Sequence, residues 1–591
     1  GTPRRRPAFI AGSLREHDAD IPMTPEKAEY DLIVVGSGAA GLTAALVASI
    51  KGLDVLLLER ADVLGGTTAI SAGSAMRPSG ILATAWVPNS HYDTSGKDSK
   101  ANARRYLDAT VGGHAPDDIK DAFLDAAPAM ARLLAEHSEV RFRPYPHLPD
   151  YYSERDGATL SGRVLETLPF DGRGLSRHFA LIRPPLPEFT ILGGMMVSRS
   201  DIAHLLNAFR SVPSFIATVR MLLRHAKDRI GHPRGTRLVM GNALVARFLH
   251  SLLERGVTIK TAVRARAPII ADGVVRGVLA DIGGKSEEFR ARRGVVLAAG
   301  GFTHHPRLRA QLLPAPVAKY SPVPSDNEGD GVNLGLQAGG AIGKTHANNA
   351  FWAPVSVRPR RDGTTAVFPH FALDRGKPGL IAVNGAGRRF VNEATSYQMF
   401  VEAIYASQAR TPSIPCFFIC DHAFLKKYGL GMIRPGQMSL RAFIDDGYLA
   451  TGQTIAQLAN VLGLDPKALC ESVERYNTCA RTGKDADFHK GESAYSRNIG
   501  DPAVAPNPNL GPIETAPFYA IRIYPGDIGT SAGLLTNTSA QVLDANGEPI
   551  KGLYAAGNDM NSVMGGVYAG PGCTIGTAMT FGYIAAMHAA G

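Results

Sequence analysis

Three closely spaced glycines are the first residues in this sequence whose type and spacing could do chemistry. Gly36, Gly38 and Gly41 follow the apolar run 32–35 and precede an alanine-rich segment. Apolar runs of this kind form buried parallel strands. Glycines at this spacing let the backbone turn tightly, approach a pyrophosphate and pack a helix on the strand. The helix N-terminus would then offer free N–H groups and partial positive charge to the phosphates.

A second apolar run, 55–58, ends at Glu59. Dinucleotide-binding folds place an acid there to bind a ribose hydroxyl. The small and hydroxyl residues of 64–73 would let the backbone approach a flat cofactor more readily than an ordinary turn would. The sequence therefore predicts a dinucleotide site rather than a simple glycine-rich turn. Its predicted contacts in this half are Gly36, Gly38, Ala39, Ala40, Gly41, Glu59, Arg60, Gly66, Thr67, Thr68, Ser71, Ala72 and Gly73.

Elements near the end of the chain predict which dinucleotide is bound. The apolar stretch 293–301 ends in Ala-Ala-Gly-Gly, and the glycine-rich turn 567–576 precedes an apolar helix. That helix would point N–H groups at the N1/C2=O side of a flavin. The order of elements resembles the glutathione-reductase-like FAD fold, whereas no second G-x-G-x-x-G predicts an NAD(P)H subdomain. Further FAD contacts are predicted at Ala299, Gly300, Gly557, Asn558, Thr574 and Ile575.

The chain length and these positions predict the domain organisation. A chain of 591 residues exceeds one compact core. We expect an α/β (α+β) protein with a Rossmann-type FAD domain that is split in sequence and an α+β substrate-capping domain. The predicted segments are an N-terminal extension (1–29), the first part of the FAD domain (30–348), the capping domain (349–528) and the second part of the FAD domain (529–591).

Composition limits the partners and the compartment. The net charge of +10 favours anionic partners, but no nucleic-acid module is recognisable, so no nucleic acid is expected. Five cysteines suit a reducing compartment, and Cys416 and Cys420 are predicted as buried strand residues rather than a redox pair. No metal-ligand spacing occurs, and no apolar run is long enough to span a membrane. The expected location is the cytoplasm, either free or peripherally associated with the inner membrane.

The segment 195–237 combines apolar residues at helical spacing with many cations. It contains two acids, Asp201 and Asp228. A basic amphipathic helix is typical of a membrane-surface element, but a helix packed on its own domain explains the pattern equally well. Both interpretations stay open at this point. The basic residues are Arg199, Arg210, Arg220, Arg224, Lys227, Arg229, Arg234 and Arg237.

The combined motifs resemble the succinate dehydrogenase/fumarate reductase flavoproteins, and within them the 3-ketosteroid Δ1-dehydrogenases, from about residue 30 to the end. The matching motifs are Gly36-Ser-Gly-Ala-Ala-Gly41, Gly65-Gly-Thr-Thr68, Asp150-Tyr-Tyr152, Arg388-Arg-Phe-Val-Asn-Glu393 with Tyr397, Asp527-Ile-Gly-Thr530, Tyr554-Ala-Ala-Gly-Asn558 and Tyr568-Ala-Gly-Pro-Gly572. The family often has Tyr-Pro-Gly where this chain has Tyr568-Ala-Gly570. The longer members carry a basic insert like 195–237, including members that act on steroids with an intact side chain.

The resemblance implies a role for each matching residue. The Tyr568 hydroxyl and the Gly572 N–H would bind the C3 carbonyl of a 3-ketosteroid. Tyr397, as phenolate or through a relay, would remove a proton from C2, and Tyr151 would support it by hydrogen bonding. Flavin N5 would take the hydride from C1. The electrons would pass to a quinone or another acceptor. The FAD would be bound non-covalently, because the loop 65–73 has no histidine for attachment.

Several alternatives stay open after the sequence analysis. The dicarboxylate reductases of the superfamily use arginines and a histidine that this chain lacks, so a dianionic substrate would have no bidentate partners. A Δ4-(5α)-dehydrogenase, another enone reductase, a flavoprotein subunit for electron transfer and a non-enzymatic FAD-binding protein are the other candidates. The steroid could be of androstane or cholestane size. A tyrosine base has a pKa of about 10 and needs a neighbouring donor or positive field to act near neutrality.

Overall fold

The computed structural model describes residues 29–71, 84–93, 96, 98–343, 347–360, 362–372 and 374–591. The predicted contacts Ala72 and Gly73 and all but the last residue of the predicted N-terminal extension lie outside these ranges. The strands are β1 (Glu29–Val35), β2 (Val55–Leu58), β3 (Thr84–Trp86), β4 (Phe142–Pro144), β5 (Val164–Thr167), β6 (Phe170–Asp171), β7 (Arg237–Leu238), β8 (Thr258–Lys260), β9 (Val263–Ala271), β10 (Val274–Ile282), β11 (Lys285–Leu297), β12 (Ala350–Pro359), β13 (Thr365–Pro369), β14 (Leu380–Val383), β15 (Cys416–Asp421), β16 (Ala450–Gly452), β17 (Phe518–Thr530), β18 (Gln541–Leu543) and β19 (Pro549–Ala555).

The α-helices separate groups of these strands along the described residues. They are α1 (Ala39–Ile50), α2 (Gly66–Ile70), α3 (Lys100–Thr110), α4 (Asp117–His137), α5 (Arg199–Leu206), α6 (Val212–Gly231), α7 (Met240–Glu254), α8 (Pro306–Leu312), α9 (Asp330–Gln337), α10 (Tyr397–Gln408), α11 (His422–Tyr428), α12 (Arg441–Asp445), α13 (Ile455–Leu462), α14 (Pro466–Thr482), α15 (Ala494–Ile499) and α16 (Cys573–Ala590).

A parallel sheet joins the two ends of the chain. Its order is β18-β19-β11-β1-β2-β8, and β9 and β10 extend β11 as an antiparallel ribbon. β1 pairs in parallel with β2 and β11, and β11 pairs in parallel with β19. Leu32, Ile33 and Val34 are fully buried because helices cover both faces of these strands. The predicted Rossmann-type FAD fold is confirmed, with α1 packed on the C-terminal helix α16.

A second, antiparallel sheet lies beside the first. Its order is β13-β12-β17-β15-β14, with β16 paired to β17. The helices α10, α13 and α14 pack against it. Cys416 and Cys420 are buried free thiols on β15, which confirms the prediction of buried strand cysteines. The domain boundaries proposed from the sequence remain a prediction.

The basic insert forms α5 and α6, and many of its large apolar side chains are exposed. The buried residues of α6 are polar, namely Ser214, Thr218, His225 and Asp228, and the partly buried Met221 packs on a small apolar cluster. His225 Nε2 lies 2.9 Å from the Leu192 carbonyl oxygen, and the Asp228 carboxylate accepts the Thr236 N–H. Large apolar residues instead face solvent: Phe209, Val212, Phe215, Ile216, Leu222, Leu223 and Ile230. Among the described residues, no helix has the length and hydrophobicity needed to cross a membrane.

Candidate active site

One cavity lies at the carboxyl ends of the parallel strands. Val35 at the end of β1, Glu59 after β2 and Ala298 after β11 line it, and Pro369 and Ile528 contribute the wall from the second sheet. Ligands of open α/β sheets bind at this edge. The lining therefore joins the dinucleotide-binding strand ends to residues of the second sheet.

Of the three motif glycines, Gly36 and Gly38 line the cavity, and Gly41 allows helix α1 to pack on strand β1. Gly36 has φ +101°, and a Cβ there would lie 2.3 Å from the Ala298 carbonyl oxygen. A Cβ on Gly38 would meet only Thr68 Oγ1, at 3.8 Å, so it would project into the cavity. Gly41 does not line the cavity. A Cβ on Gly41 would lie 1.9 Å from the Gly36 carbonyl oxygen. Because glycine has no Cβ, α1 can pack closely on β1.

Replacing Gly38 with alanine is expected to weaken dinucleotide binding without unfolding the protein. The added methyl group has room in the protein but occupies the space that a pyrophosphate needs. We expect at least a tenfold loss of FAD affinity, which is about 1.4 kcal/mol. Calorimetric FAD titration of the stripped protein measures it, with Gly113→Ala as the control because a Cβ there meets nothing within 4 Å. Unchanged affinity in Gly38→Ala would contradict the placement of the phosphates.

Glu59 lies in the cavity wall and also joins two loops. Its carboxylate accepts hydrogen bonds from the Ser37 N–H at 3.0 Å, the Ser37 hydroxyl and the Ala61 N–H at 2.9 Å. Ser37 Oγ in turn accepts the Gly65 N–H at 2.9 Å. Burial raises the pKa of Glu59, while the hydrogen bonds from Ser37 and Ala61 oppose that rise. Glu59 thus fixes the glycine turn relative to the loop before α2, and its predicted ribose contact remains a proposal.

A cluster of ion pairs closes the cavity beyond Glu59. Arg60 pairs with Glu328 at 2.7 Å and Asp330 at 3.2 Å, and Arg183 pairs with Asp326. Sequence reasoning included Arg60 but missed its partners, which lie more than 260 residues further along the chain and form no recognised motif. Further lining residues that the sequence did not indicate are Val35, Ser37, Leu186, Phe189, Val263, Ala265, Pro322, Val323, Pro324, Asn327, Pro369, Phe371 and Ile528.

Most of the predicted contacts are brought together along this cavity. Those that line it are Gly36, Gly38, Ala39, Ala40, Glu59, Arg60, Gly66, Thr67, Thr68, Ser71, Ala299, Gly300, Gly557, Asn558, Thr574 and Ile575. The Asp559 carboxylate accepts hydrogen bonds from the N–H groups of Ala299 and Gly301. These bonds join the segment after β11 to the segment before α16. Burial raises the pKa of Asp559 to about 6.

The predicted tyrosines meet at one end of the cavity. Tyr397 is the first residue of α10, and Tyr568 lies in the turn before α16. The ring centroids of Tyr397 and Tyr568 are 5.0 Å apart. The ring centroid of Tyr151 lies 5.3 Å from that of Tyr397 and 5.7 Å from that of Tyr568. Tyr397, Tyr568 and Gly572 line the cavity, whereas Tyr151 packs behind them. Gly572 caps α16 at φ +82°, where a Cβ would lie 2.1 Å from the Thr84 carbonyl oxygen.

All three phenols are held in their neutral form. Burial is the main cause that raises the pKa of Tyr151, Tyr397 and Tyr568. For Tyr397 the neighbouring Tyr151 and Tyr568 raise the pKa further. The Tyr568 hydroxyl lies 3.2 Å from Thr574 Oγ1. A neutral phenol in this position can donate a hydrogen bond to a carbonyl oxygen.

The hydrogen bond expected from Tyr151 to Tyr397 stays a prediction. The two rings meet edge to face at an interplanar angle of 79°. The Tyr151 hydroxyl is buried and has no partner at ordinary hydrogen-bond length among the described residues, but the two hydroxyls are close enough for each to influence the pKa of the other. The two residues lie 246 positions apart in the chain, so only the tertiary structure brings them together.

The walls near the tyrosines are apolar. Leu186, Phe189, Pro369, Phe371 and Ile528 line the cavity together with the phenols. Among the described lining residues the cations are Arg60 and Arg183, and both are paired with carboxylates of the 326–330 segment. A molecule at this end therefore meets hydrogen-bond donors and apolar surface rather than unpaired positive charge.

The fold and the cavity define the class of protein. A family model described as the FAD binding domain matches residues 31–575. The residues present fit this cofactor, because the N-terminal segments of α1 and α16 both border the cavity and Gly38 leaves open space beside one of them. The chain therefore belongs to the FAD-binding flavoproteins, and FAD is its cofactor.

Relatives that match nearly the whole chain define the family more closely. The 3-oxosteroid 1-dehydrogenase of Mycolicibacterium smegmatis is 35% identical over 95% of this chain and 97% of that protein. The crystal structure of the Sterolibacterium denitrificans 3-ketosteroid Δ1-dehydrogenase with 1,4-androstadiene-3,17-dione is 36% identical, with a TM-score of 0.87 over 95% of this chain and 100% of that chain. This protein belongs to the 3-ketosteroid Δ1-dehydrogenase family. The 4-oxocyclohex-2-ene-1-carboxylate 5-dehydrogenase of Sinomonas cyclohexanicum is also 35% identical, over 94% and 92% of the two chains.

Proposed function

We propose that this protein is an FAD-dependent 3-ketosteroid 1-dehydrogenase that introduces a double bond between C1 and C2 of ring A. The observation that carries the proposal is the convergence of Tyr397, Tyr568 and Gly572 at the apolar end of the FAD cavity. These residues come from two parts of the chain that lie about 170 residues apart. A neutral polycyclic ketone would match both the donors and the apolar walls.

Each residue of this site has a distinct task. The Tyr568 hydroxyl and the N–H at the start of α16 donate to the C3 carbonyl oxygen, which favours the enolate as negative charge develops. The raised pKa of Tyr568 suits this task because the hydroxyl keeps its proton. Tyr397, either ionised to the phenolate or passing its own proton on through a relay, takes the proton from C2, which the polarised carbonyl has made more acidic. FAD, when bound, supplies the acceptor for the second hydrogen and its electron pair.

Anaerobic mixing of the holoenzyme with 4-androstene-3,17-dione tests the proposal. We expect the absorbance of the bound FAD to bleach and the product to carry a new C1–C2 double bond. A C4–C5 double bond formed from a saturated 5α-ketone instead would assign the protein to the Δ4 desaturases. No bleaching with any 3-ketosteroid would overturn the proposal. Reoxidation by a quinone analogue, compared with oxygen, then tests the proposed electron acceptor.

Dehydrogenation of a cyclic ketone that carries a carboxylate is the second candidate function. It is favoured by the equally high identity to the Sinomonas enzyme. A carboxylate buried near the tyrosines would need a cation, and the described lining cations, Arg60 and Arg183, are already paired elsewhere in the cavity. We therefore expect kcat/KM to be far higher for the steroid than for 4-oxocyclohex-2-ene-1-carboxylate when the two are compared directly.

The exposed surface of α5 and α6 is proposed to bind an anionic membrane. Large apolar residues and cations are exposed together on it, including Arg220, Lys227 and Arg229 among the cations. Apolar side chains would enter the interface, and each nearby cation would add about 1 kcal/mol of attraction to anionic lipid. Such binding would bring the enzyme to membrane-dissolved ketones.

Removing this apolar surface is expected to abolish vesicle binding. The triple variant Phe209→Ser/Leu223→Ser/Ile230→Ser should stay unbound in flotation with vesicles of phosphatidylcholine and phosphatidylglycerol, whereas the parent protein floats. Met438→Ser removes a fully exposed apolar side chain outside the insert and is the control. Equal flotation of the parent and the triple variant, or no flotation of the parent, would contradict the membrane role.

A further inference from the structure

Arg375 is a fully buried cation beside the tyrosine cluster. Its guanidinium donates to the backbone carbonyls of His370, Phe371, Glu393 and Thr395. The Phe371 ring packs on Tyr397 at 5.0 Å, and Thr395 lies two residues before Tyr397. Arg375 therefore ties together the two segments that hold Tyr397 in place.

Carbonyl partners satisfy the N–H groups of Arg375 but do not neutralise its charge. Among the described residues no carboxylate forms an ion pair with its guanidinium. The carboxylate of Glu393 instead pairs with Arg389 at 2.9 Å and Lys490 at 3.2 Å. Asp374 accepts the Arg375 backbone N–H, and its carboxylate lies 2.7 Å from His370 Nδ1, so it offsets the charge only in part.

Tyr495 connects this cation to the tyrosines. It is buried on α15, and its hydroxyl, like that of Tyr151, has no partner at ordinary hydrogen-bond length among the described residues. The rings of Tyr495 and Tyr151 lie 4.8 Å apart, and Tyr151 contacts both Tyr397 and Tyr568. Burial raises the pKa of Tyr495, and the adjacent Arg375 guanidinium opposes that rise. Arg375 also interacts electrostatically with Tyr151.

We propose that Arg375 is a positioning residue for the tyrosine cluster. Its positive field, acting by way of Tyr495 and Tyr151, lets Tyr397 act as a base. The inference rests on the proposed function and addresses its main physical difficulty. A phenol buried among other phenols cannot lose its proton readily, since desolvation disfavours the anion. A buried cation with carbonyl partners stabilises negative charge on the tyrosine cluster at low dielectric, where such interactions are strong.

The other charged groups around Arg375 do not provide this field. Glu393 and its partners Arg389 and Lys490 form a compensated cluster together with Asp485. The ring of His370 lies between Asp374 and the Ser356 hydroxyl. The phenol next to Arg375 is Tyr495 on α15, whose ring contacts that of Tyr151. This geometry makes Arg375 the cation that governs the charge of the cluster.

Removing the charge should change the pH at which the cluster ionises. The tyrosinate absorbance of the holoenzyme is titrated with pH, and the titration of Tyr397→Phe is subtracted to isolate the cluster. We expect Arg375→Gln to move this ionisation upward by roughly one pH unit, which is about tenfold in the equilibrium. The pH profile of kcat should shift in the same direction, with KM for the steroid within about twofold. Arg375→Lys, which retains a positive charge, should restore much of the profile.

Two further variants keep the test decisive. Tyr495→Phe preserves every carbonyl contact of Arg375 and should still shift the ionisation upward, even if Arg375→Gln fails to fold. Arg247→Gln is the control, because Arg247 is also buried and donates to carbonyls, those of Glu139, Leu168 and Pro169. It should leave the ionisation unchanged.

The outcomes separate this inference from the proposed function. Lower kcat in the Arg375 and Tyr495 variants without any shift in either pH titration would show a purely structural role and overturn the inference. No change in any of these measurements would also overturn it. If the parent protein oxidises no steroid but the tyrosinate titration still shifts as expected, the proposed function fails while the electrostatic role of Arg375 stands.

Discussion

Replacing Tyr397 with phenylalanine is expected to reduce kcat for a 3-ketosteroid by about 10²- to 10⁴-fold, the usual contribution of a positioned base. The Tyr397 ring lies 3% exposed in the wall of the FAD cavity and packs on Phe371, Tyr151 and Tyr568. Phenylalanine keeps this packing and removes only the hydroxyl. FAD binding and steroid binding should therefore survive.

The same variant should also lose exchange of the C2 proton. Steroid deuterated at C2 should keep its label when bound to Tyr397→Phe under anaerobic conditions, as measured by mass spectrometry. Because burial and the neighbouring tyrosines raise the pKa of Tyr397, the kcat of the parent protein should rise with pH toward that pKa. Tyr405→Phe is the control, since Tyr405 lies on the same helix and contacts the Pro316 carbonyl away from the cavity. A near-normal rate in Tyr397→Phe would contradict its role as the base.

Replacing Tyr568 with phenylalanine is expected to reduce kcat by about 10²- to 10³-fold, the usual effect of losing one donor to a developing oxyanion. The Tyr568 hydroxyl is buried at the cavity beside Thr574 and keeps its proton because its pKa is raised. Without it, the C3 oxygen would retain only the donor from the backbone at the start of α16. The enolate would then be less stable.

The effect of Tyr568→Phe should differ from that of Tyr397→Phe. Loss of the donor should weaken binding of phenolic or enolate-like inhibitors more than binding of the ketone, because the hydrogen bond is strongest to the charged oxygen. Inhibition constants measured for both variants test this difference. Tyr583→Phe, on α16 and only partly buried, is the control. Equal weakening of inhibitor and ketone binding would indicate that Tyr568 contributes only to general substrate contact.

Local motifs could be predicted because their physics depends on neighbouring residues. Gly36, Gly38 and Gly41 lie within six residues, and each is required by a turn, a close approach or a helix contact formed there. The parallel strands were predictable for the same reason, since β1 and β2 are continuous apolar runs. The helix α16 after a glycine turn was equally clear. These elements specify an FAD site before any tertiary contact is known.

The arrangement around the tyrosines could not be predicted in this way. Resemblance to a family indicated Tyr151, Tyr397 and Tyr568, but residue spacing gave no signal for Arg375 or Tyr495 beside them. The rings of Tyr151 and Tyr397 lie 5.3 Å apart although 246 residues separate them in the chain. Such distances depend on how the second sheet packs against the first.

The insert shows the same division between sequence and tertiary structure. The amphipathic pattern of 195–237 predicted helices and left open which face would be buried. The structure buries Ser214, Thr218, His225 and Asp228 and exposes the large apolar residues. The buried polar groups find partners such as the Thr236 N–H, which lies outside the helix.

The sequence by itself determined the cofactor class, the Rossmann-type elements and the candidate tyrosines. Only the tertiary structure decided that Tyr397, Tyr568 and Gly572 share one cavity wall and that a buried arginine lies behind the phenols. The reason is that backbone conformation and strand burial follow from short stretches of residues. The charge, burial and spacing of an active site instead depend on side chains that only long-range packing brings together.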